Sequence, residues 1–284
     1  MIINILIAIL FGIVEGITEW LPVSSTGHMI LLDEFLSLKI GSPEFSAEFY
    51  SMFEVVIQLG AILAVIILFF GKLNPLSKKK TLSDKKETWS LWFKVIVAII
   101  PSAVVGIIAD DLLDAYLGNY VTVAIALVVY GVAFILVEKT RKAIPKVVNT
   151  HSITYKTAFL IGAFQMLSLI PGTSRSGSTI LGAILLGLSR PAAAEFSFFM
   201  AIPTMMGAAL IRSLKFVDYV SSASVAVPAE AWIVLAVGCV AAFVVSLASI
   251  KFLMDFVKKH SFTSFGVYRI VLGALVLAYF VATK

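Results

Sequence analysis

The sequence predicts an all-α integral membrane protein: six transmembrane helices plus two re-entrant helical hairpins, arranged as an inverted-topology repeat in a single membrane domain over residues 1–284. Three observations predict it. The chain is 60% hydrophobic and only 14% charged, with a mean hydropathy of +1.02, whereas soluble globular chains carry roughly 25% charged residues. A water-soluble fold of this size could not hide so much apolar surface, so lipid must cover it. Six segments are long and apolar enough to cross a bilayer, and two short polar motifs recur about 150 residues apart.

A spanning helix needs about 20 apolar residues. In chain order, residues 2–14 are apolar but stop at Glu15, and a second short piece follows at Met29–Leu32. Full spans are expected at 50–70, 91–109 and 120–138. Residues 157–170 are again too short, stop at Pro171 and resume at Ile180–Leu188, before spans at 192–212, 231–250 and 265–282. A short helix, a polar turn and another short helix read as a re-entrant hairpin, because irregular backbone at membrane depth survives only where protein or a watery cavity satisfies it. The N-terminal run lacks a basic n-region and a small-residue cleavage site, so it reads as part of the mature fold.

Charge sets the orientation. Lys72, Lys78, Lys79, Lys80, Lys85 and Lys86 crowd the 71–90 connection, Lys139, Arg141, Lys142, Lys146 and Lys156 the 139–156 stretch, and a third basic loop runs from Lys251 to His260. The positive-inside rule makes all three cytoplasmic. The connection near Asp110, Asp111 and Asp114 and the 213–230 loop then face outward, with Arg212 and Lys215 dissenting. Topology thus accounts for the net charge of +5, and no nucleic-acid partner is expected. Cys239 is the only cysteine, which excludes an intrachain disulfide or a thiolate metal site.

Gly12-Ile-Val-Glu15 resembles Gly162-Ala-Phe-Gln165, and Leu21-Pro-Val-Ser-Ser-Thr-Gly27 resembles Ile170-Pro-Gly-Thr-Ser-Arg-Ser-Gly177 with one inserted residue. Repeat one covers 1–145 and repeat two 150–284, each a hairpin plus three spans. Three is odd, so the second copy enters from the opposite side. Inverted repeats bring their broken helices together at the repeat interface, and the two motifs are therefore expected to meet in space.

The first motif holds Glu15 and Glu19, four apart and so on one helical face. Ionisable residues at membrane depth mark functional sites, and the repulsion between two carboxylates is relieved by a cation, a shared proton or an arginine. Ser24, Ser25 and Thr26 supply hydroxyls just before Gly27 and His28. A hydroxyl needs a base to become a nucleophile, and histidine serves near neutral pH; equally, serines there cap the next helix. The second motif runs Pro171-Gly172-Thr173-Ser174-Arg175-Ser176-Gly177-Ser178-Thr179. Small residues, hydroxyls and a helix N-terminus suit an anion, and Arg175 adds a planar fork for phosphate. Internal pairing of Arg175 with Glu15 or Glu19 is compatible with that reading when no ligand is bound. The nucleotide-binding G-x-x-x-x-G-K-[ST] spacing is absent. Glu54 and Gln58, four apart in the first full span, are expected to support the same cavity, and Glu195 to play a lesser counterpart role.

The strings EGITEWLPVSSTGH and PGTSRSGST, with their order, spacing and span count, resemble the undecaprenyl-diphosphate phosphatase family of the bacitracin-resistance type over almost the whole chain. The resemblance implies hydrolysis of undecaprenyl diphosphate to undecaprenyl phosphate and inorganic phosphate, recycling a cell-wall carrier lipid. It implies a divalent cation (Mg²⁺ or Ca²⁺) on Glu15 and Glu19, and catalytic roles for Ser25, His28, Glu15, Glu19 and Arg175. Ser24, Thr26, Gly27, Ser174, Ser176, Gly177 and Thr179 would line the substrate. It further implies a bacterial plasma-membrane protein whose site opens to the outer face. Polyprenyl diphosphate and membrane lipids are the expected partners, with a homodimer as the possible assembly. The reading from a different class is a transporter or flippase for a phosphate-bearing lipid or anion, since inverted repeats are also a transporter architecture.

Overall fold

A computed structural model of the chain describes residues 1–140 and 144–283; the side chains of Asp110, Asp111, Asp114 and Ala115 lie outside the described set, as do Arg141 and Lys142 of the second basic stretch. Eleven α-helices follow one another among these residues: α1 (Ile2–Thr18), α2 (Ser25–Phe35), α3 (Pro43–Leu68), α4 (Phe70–Leu73), α5 (Leu82–Leu117), α6 (Tyr120–Thr140), α7 (Tyr155–Met166), α8 (Arg175–Leu185), α9 (Arg190–Ser222), α10 (Ala229–Lys259) and α11 (Thr263–Thr283). No strand is present among the described residues beyond one isolated bridge, Val147 to Leu188.

Six helices, α3, α5, α6, α9, α10 and α11, are long and apolar enough to cross a membrane, at the positions of the six expected spans. Their ends run further than hydropathy indicated. The 213–230 connection was expected as a loop but is helical to Ser222, because nothing between Pro203 and Pro228 breaks the helix. The 71–90 connection likewise contains α4 and the first two turns of α5. There Thr81 and Asp84 form a capping box: the Asp84 N–H donates to Thr81 Oγ1 at 3.2 Å, and the Thr81 N–H donates to the Asp84 carboxylate at 2.9 Å. At 33 residues, α9 rises about 50 Å, well beyond a hydrocarbon core of about 30 Å.

Each half packs on the other. Helix α1 lies against α10 and α7 against α5; α3 lies against α9 and α10, α9 also against α5, and α6 against α11. Exchanging the halves maps each contact onto another or onto itself. Large apolar side chains such as Ile100, Ile107, Ile108, Val129 and Leu275 remain exposed, as lipid-facing residues must. The dense interior is aromatic, with Trp20, Phe134, Phe196, Phe198, Phe199 and Phe262 fully buried.

Close helix approach rests on small residues. A Cβ on Gly12 would sit 2.5 Å from the Gly238 carbonyl oxygen in α10, and one on Gly162 would overlap the Ala98 carbonyl in α5. Gly162→Leu should therefore push α7 from α5 and destabilise by roughly 2 kcal/mol or more, lowering Tm by about 5 °C or more. Gly207→Ala is the control, since nothing lies within 4 Å of a Cβ there. Thermal unfolding in detergent checks both, and an unchanged Tm for Gly162→Leu would refute the close-packing assignment.

Candidate active site

The two motifs occupy matching turns. Helix α1 ends at Thr18, and α2 begins after Ser24, whose side chain caps the helix by accepting the Gly27 N–H at 3.3 Å. Helix α7 passes through a 3₁₀ turn at Leu167–Leu169, and α8 begins after Ser174, which accepts the Gly177 N–H at 3.1 Å. Both capping serines have left-handed backbones, φ 75° at Ser24 and 71° at Ser174. Such conformations cost of order 1–3 kcal/mol in a non-glycine residue and persist where the surroundings over-determine them.

The turns meet across a carboxylate. Arg175 donates from Nε (3.1 Å) and Nη2 (3.0 Å) to Glu19 Oε1, while the Ser25 hydroxyl donates to Glu19 Oε2 at 2.9 Å. One carboxylate thus joins the arginine of the second motif to the serine of the first. The pair is buried, with side chains 9% and 6% exposed. Arg175 Nη1 donates to the Ser197 carbonyl at 2.7 Å, and the Ser197 hydroxyl bonds Thr179 Oγ1 at 2.7 Å. Trp20 lies under the guanidinium, its ring centroid 6.0 Å from the central carbon. Three close bonds leave some of the five arginine N–H donors available to an anion.

Not every expected residue joins this group in the expected way. His28 does not bond Ser25. Its Nδ1 donates to the Ser24 carbonyl at 2.7 Å, which fixes the tautomer, so Nε2 accepts the Tyr268 hydroxyl at 2.7 Å; the two rings stack. Ser24, Ser176, Gly177 and Thr179 are buried, and the three hydroxyls are already bonded within the protein. Ser174 is half-buried and Thr26 exposed. Gly27 lets α2 approach α6, where a Cβ would meet Leu127 Cδ1 at 3.2 Å. Gln58 adds no hydrogen bond to the network. Glu195 belongs elsewhere: it bonds Lys72 at 2.6 Å and Thr150 at 3.0 Å, on the side of α9 away from Ser197, because residues two apart on a helix point about 200° apart.

Glu15 is 1% exposed, and its Oε1 has no hydrogen-bond partner. Glu19, Glu54 and Arg175 are near enough to act on it electrostatically. Gln165, which the sequence comparison sets opposite Glu15, is uncharged and donates to Ser102 and Thr204. No cluster of three or more His, Cys, Asp or Glu side chains that could hold a metal ion is present among the described residues. An orphaned buried carboxylate oxygen beside a second carboxylate nonetheless fits a magnesium-type ion, which is typically held by one or two carboxylates together with substrate phosphates.

The family model for Bacitracin resistance protein BacA matches residues 8–275. This chain belongs to the BacA family. It is 54% identical over 277 residues to an "Undecaprenyl-diphosphatase" of Enterococcus faecalis, covering 97% of each chain. It is 57% identical over 273 residues to "Undecaprenyl-diphosphatase 1" of Clostridioides difficile, covering 96% of this chain and 95% of that one. With the "Undecaprenyl-diphosphatase" of Limosilactobacillus fermentum the identity is 52% over 278 residues, 98% of each. Both polar motifs of this BacA-family chain lie inside the matched range.

One residue at the site escaped the motif reading. Arg269 of α11 is fully buried, and its fork ties the two turns together: Nη1 donates to the Pro22 carbonyl at 3.2 Å, and Nη2 to Gly172 at 2.9 Å and Thr173 at 2.8 Å. Among the described residues its Nε has no hydrogen-bond partner, and the Tyr130 ring lies 5.4 Å from the guanidinium carbon. The available signal was its position as the one charge within the 21-residue apolar helix Thr263–Thr283, since a charge at membrane depth is a functional candidate by default.

Proposed function

We propose that this BacA-family protein cleaves the terminal phosphate of undecaprenyl diphosphate, giving undecaprenyl phosphate and inorganic phosphate, as the names of its relatives indicate. The observation that carries this reading is the Glu19 carboxylate held between Arg175 and the Ser25 hydroxyl. In the proposed sequence, Arg175 turns its remaining N–H groups to the terminal phosphoryl oxygens and offsets charge as it shifts in the transition state. Ser25 Oγ attacks phosphorus as its proton passes to Glu19 Oε2, the oxygen that already accepts its hydrogen bond. The anhydride bond breaks and the lipid monophosphate leaves. Water then cleaves the phosphoserine: Glu19 returns its proton to the departing Ser25 Oγ, and His28 takes the water's proton on Nε2 once the Tyr268 hydroxyl gives up its hydrogen bond there. Glu15 and Glu19 would hold a divalent cation together with the diphosphate oxygens; when bound, it supplies further charge neutralisation.

The same proposal includes the architecture. Helices α2 and α8 start 150 residues apart, have 11 residues each and carry the same serine cap. That match, with the exchange symmetry of helix contacts, supports repeats over 1–145 and 150–284 with inverted topology and two re-entrant hairpins. Lysine-rich connections on the cytoplasmic side of a bacterial plasma membrane would open the site outward.

Purified protein in detergent should release phosphate from undecaprenyl diphosphate, lose the activity to a chelator and regain it with Mg²⁺ or Ca²⁺. Detergent abolishes transport but not hydrolysis. Folded, monodisperse protein that binds the lipid yet releases no phosphate would overturn the enzyme in favour of a carrier.

A further inference from the structure

A cavity of about 490 Å³ opens at the basic end of the helices, on the face of α9 away from Arg175. Part of its wall is apolar: Leu68 and Phe69 at the end of α3, Ile250 and Met254 in α10. The rest carries Lys72, Lys251 and Lys258 against the carboxylates of Glu195 and Asp255, which leaves the cations in excess. Inside, Lys72 neutralises Glu195 and the Thr150 hydroxyl donates to it, so the one buried acid makes no demand on the other cations. Lys258 bonds Asp255 one turn back, in a pair whose side chains are 57% and 78% exposed; such exposed pairs are weak. Lys251 has no acidic partner among the described residues. At the rim, the buried Nδ1 of His151 makes no hydrogen bond, with the Glu87 carboxylate 4.0 Å away.

We propose that this cavity takes the phosphate head group of an anionic phospholipid from the leaflet beside the basic loops. Lys251 meets the phosphate, joined by Lys258 as it turns from its exposed partner Asp255, and the apolar wall meets the glycerol and upper acyl chains. Basic pockets between transmembrane helices recognise lipid head groups in this way. A free phosphate ion would gain nothing from Leu68, Phe69, Ile250 and Met254, and that apolar half commits the site to a lipid. It is separate from the Glu19–Arg175 centre: Ser197 turns toward Arg175, while Glu195, two residues earlier, faces the cavity.

The test is native mass spectrometry of the full chain in detergent, titrated with phosphatidylglycerol or with phosphatidylcholine of the same acyl chains. The wild type should retain phosphatidylglycerol roughly tenfold better, and Lys251→Gln/Lys258→Gln should abolish that preference. Neither lysine belongs to the catalytic group, so phosphate release by the double variant should match the wild type. If the variant does not fold, salt titration of the wild type replaces it: rising ionic strength should strip phosphatidylglycerol and leave phosphatidylcholine bound. Equal retention of the two lipids, an undiminished preference in the variant, or displacement of the lipid by excess inorganic phosphate would each overturn the proposal.

Discussion

Glu19→Gln should lower the turnover number for phosphate release by about 10³-fold while changing KM by only a few-fold. The carboxylate uses one oxygen for Arg175 and the other for Ser25. An amide has a single acceptor oxygen, so it can serve the arginine or the serine but not both, and its NH₂ group meets whichever remains. It also cannot take the serine proton. Arg175, buried and stripped of its anionic partner, would in addition destabilise the fold, since breaking a buried pair typically costs about 3–5 kcal/mol. The expected readout is thus a folded but less stable protein with nearly abolished kcat. Glu19→Asp, which keeps both oxygens on a shorter stem, should recover part of the rate. A Glu19→Gln enzyme within fivefold of wild type would remove Glu19 from the proton transfer.

Arg269→Met should reduce kcat by about 10²-fold, because a displacement of roughly 1 Å between reacting groups is enough for such a loss. The three carbonyls it gathers belong to both turns, so without the fork the spacing between Ser25 and Arg175 rests mainly on the Glu19 bridge. Stability should move differently. A buried cation with no carboxylate partner among the described residues is expensive, but methionine also takes the donor from three carbonyls, each costing about 1–3 kcal/mol if left unsatisfied. The two terms oppose each other, so Tm is expected to change by only a few degrees while kcat falls about a hundredfold, a split that a general structural defect would not produce. Arg269→Lys retains the charge but not the planar fork and should lie between the two. Arg269→Met with wild-type kcat would show that the turns hold their spacing without it.

Much of the fold is legible in the sequence. A run of some 20 apolar residues has few alternatives, and all six spans appear where hydropathy put them. Glu15, Glu19, His28 and Arg175 stood out because polar groups at membrane depth are costly wherever they occur, a property of the residue and its immediate neighbours. The helix ends were less legible. Polar helix formers after Pro203 and around Lys85 continue a helix past the lipid without leaving a hydropathy signal.

The sequence by itself therefore determined the spans, the two serine-rich turns and the residue types that would face an anion, since each of these is written in local hydropathy and short spacing. It narrowed the partner of Arg175 to Glu15 or Glu19. Only the tertiary structure decided that Glu19 takes it, that Ser25 leans on this carboxylate and not on His28, that Glu195 serves a separate lysine, and that Arg269 closes the turns. Those are choices of direction and distance between segments up to 247 residues apart, and helical periodicity says which face a side chain occupies, not what stands opposite it.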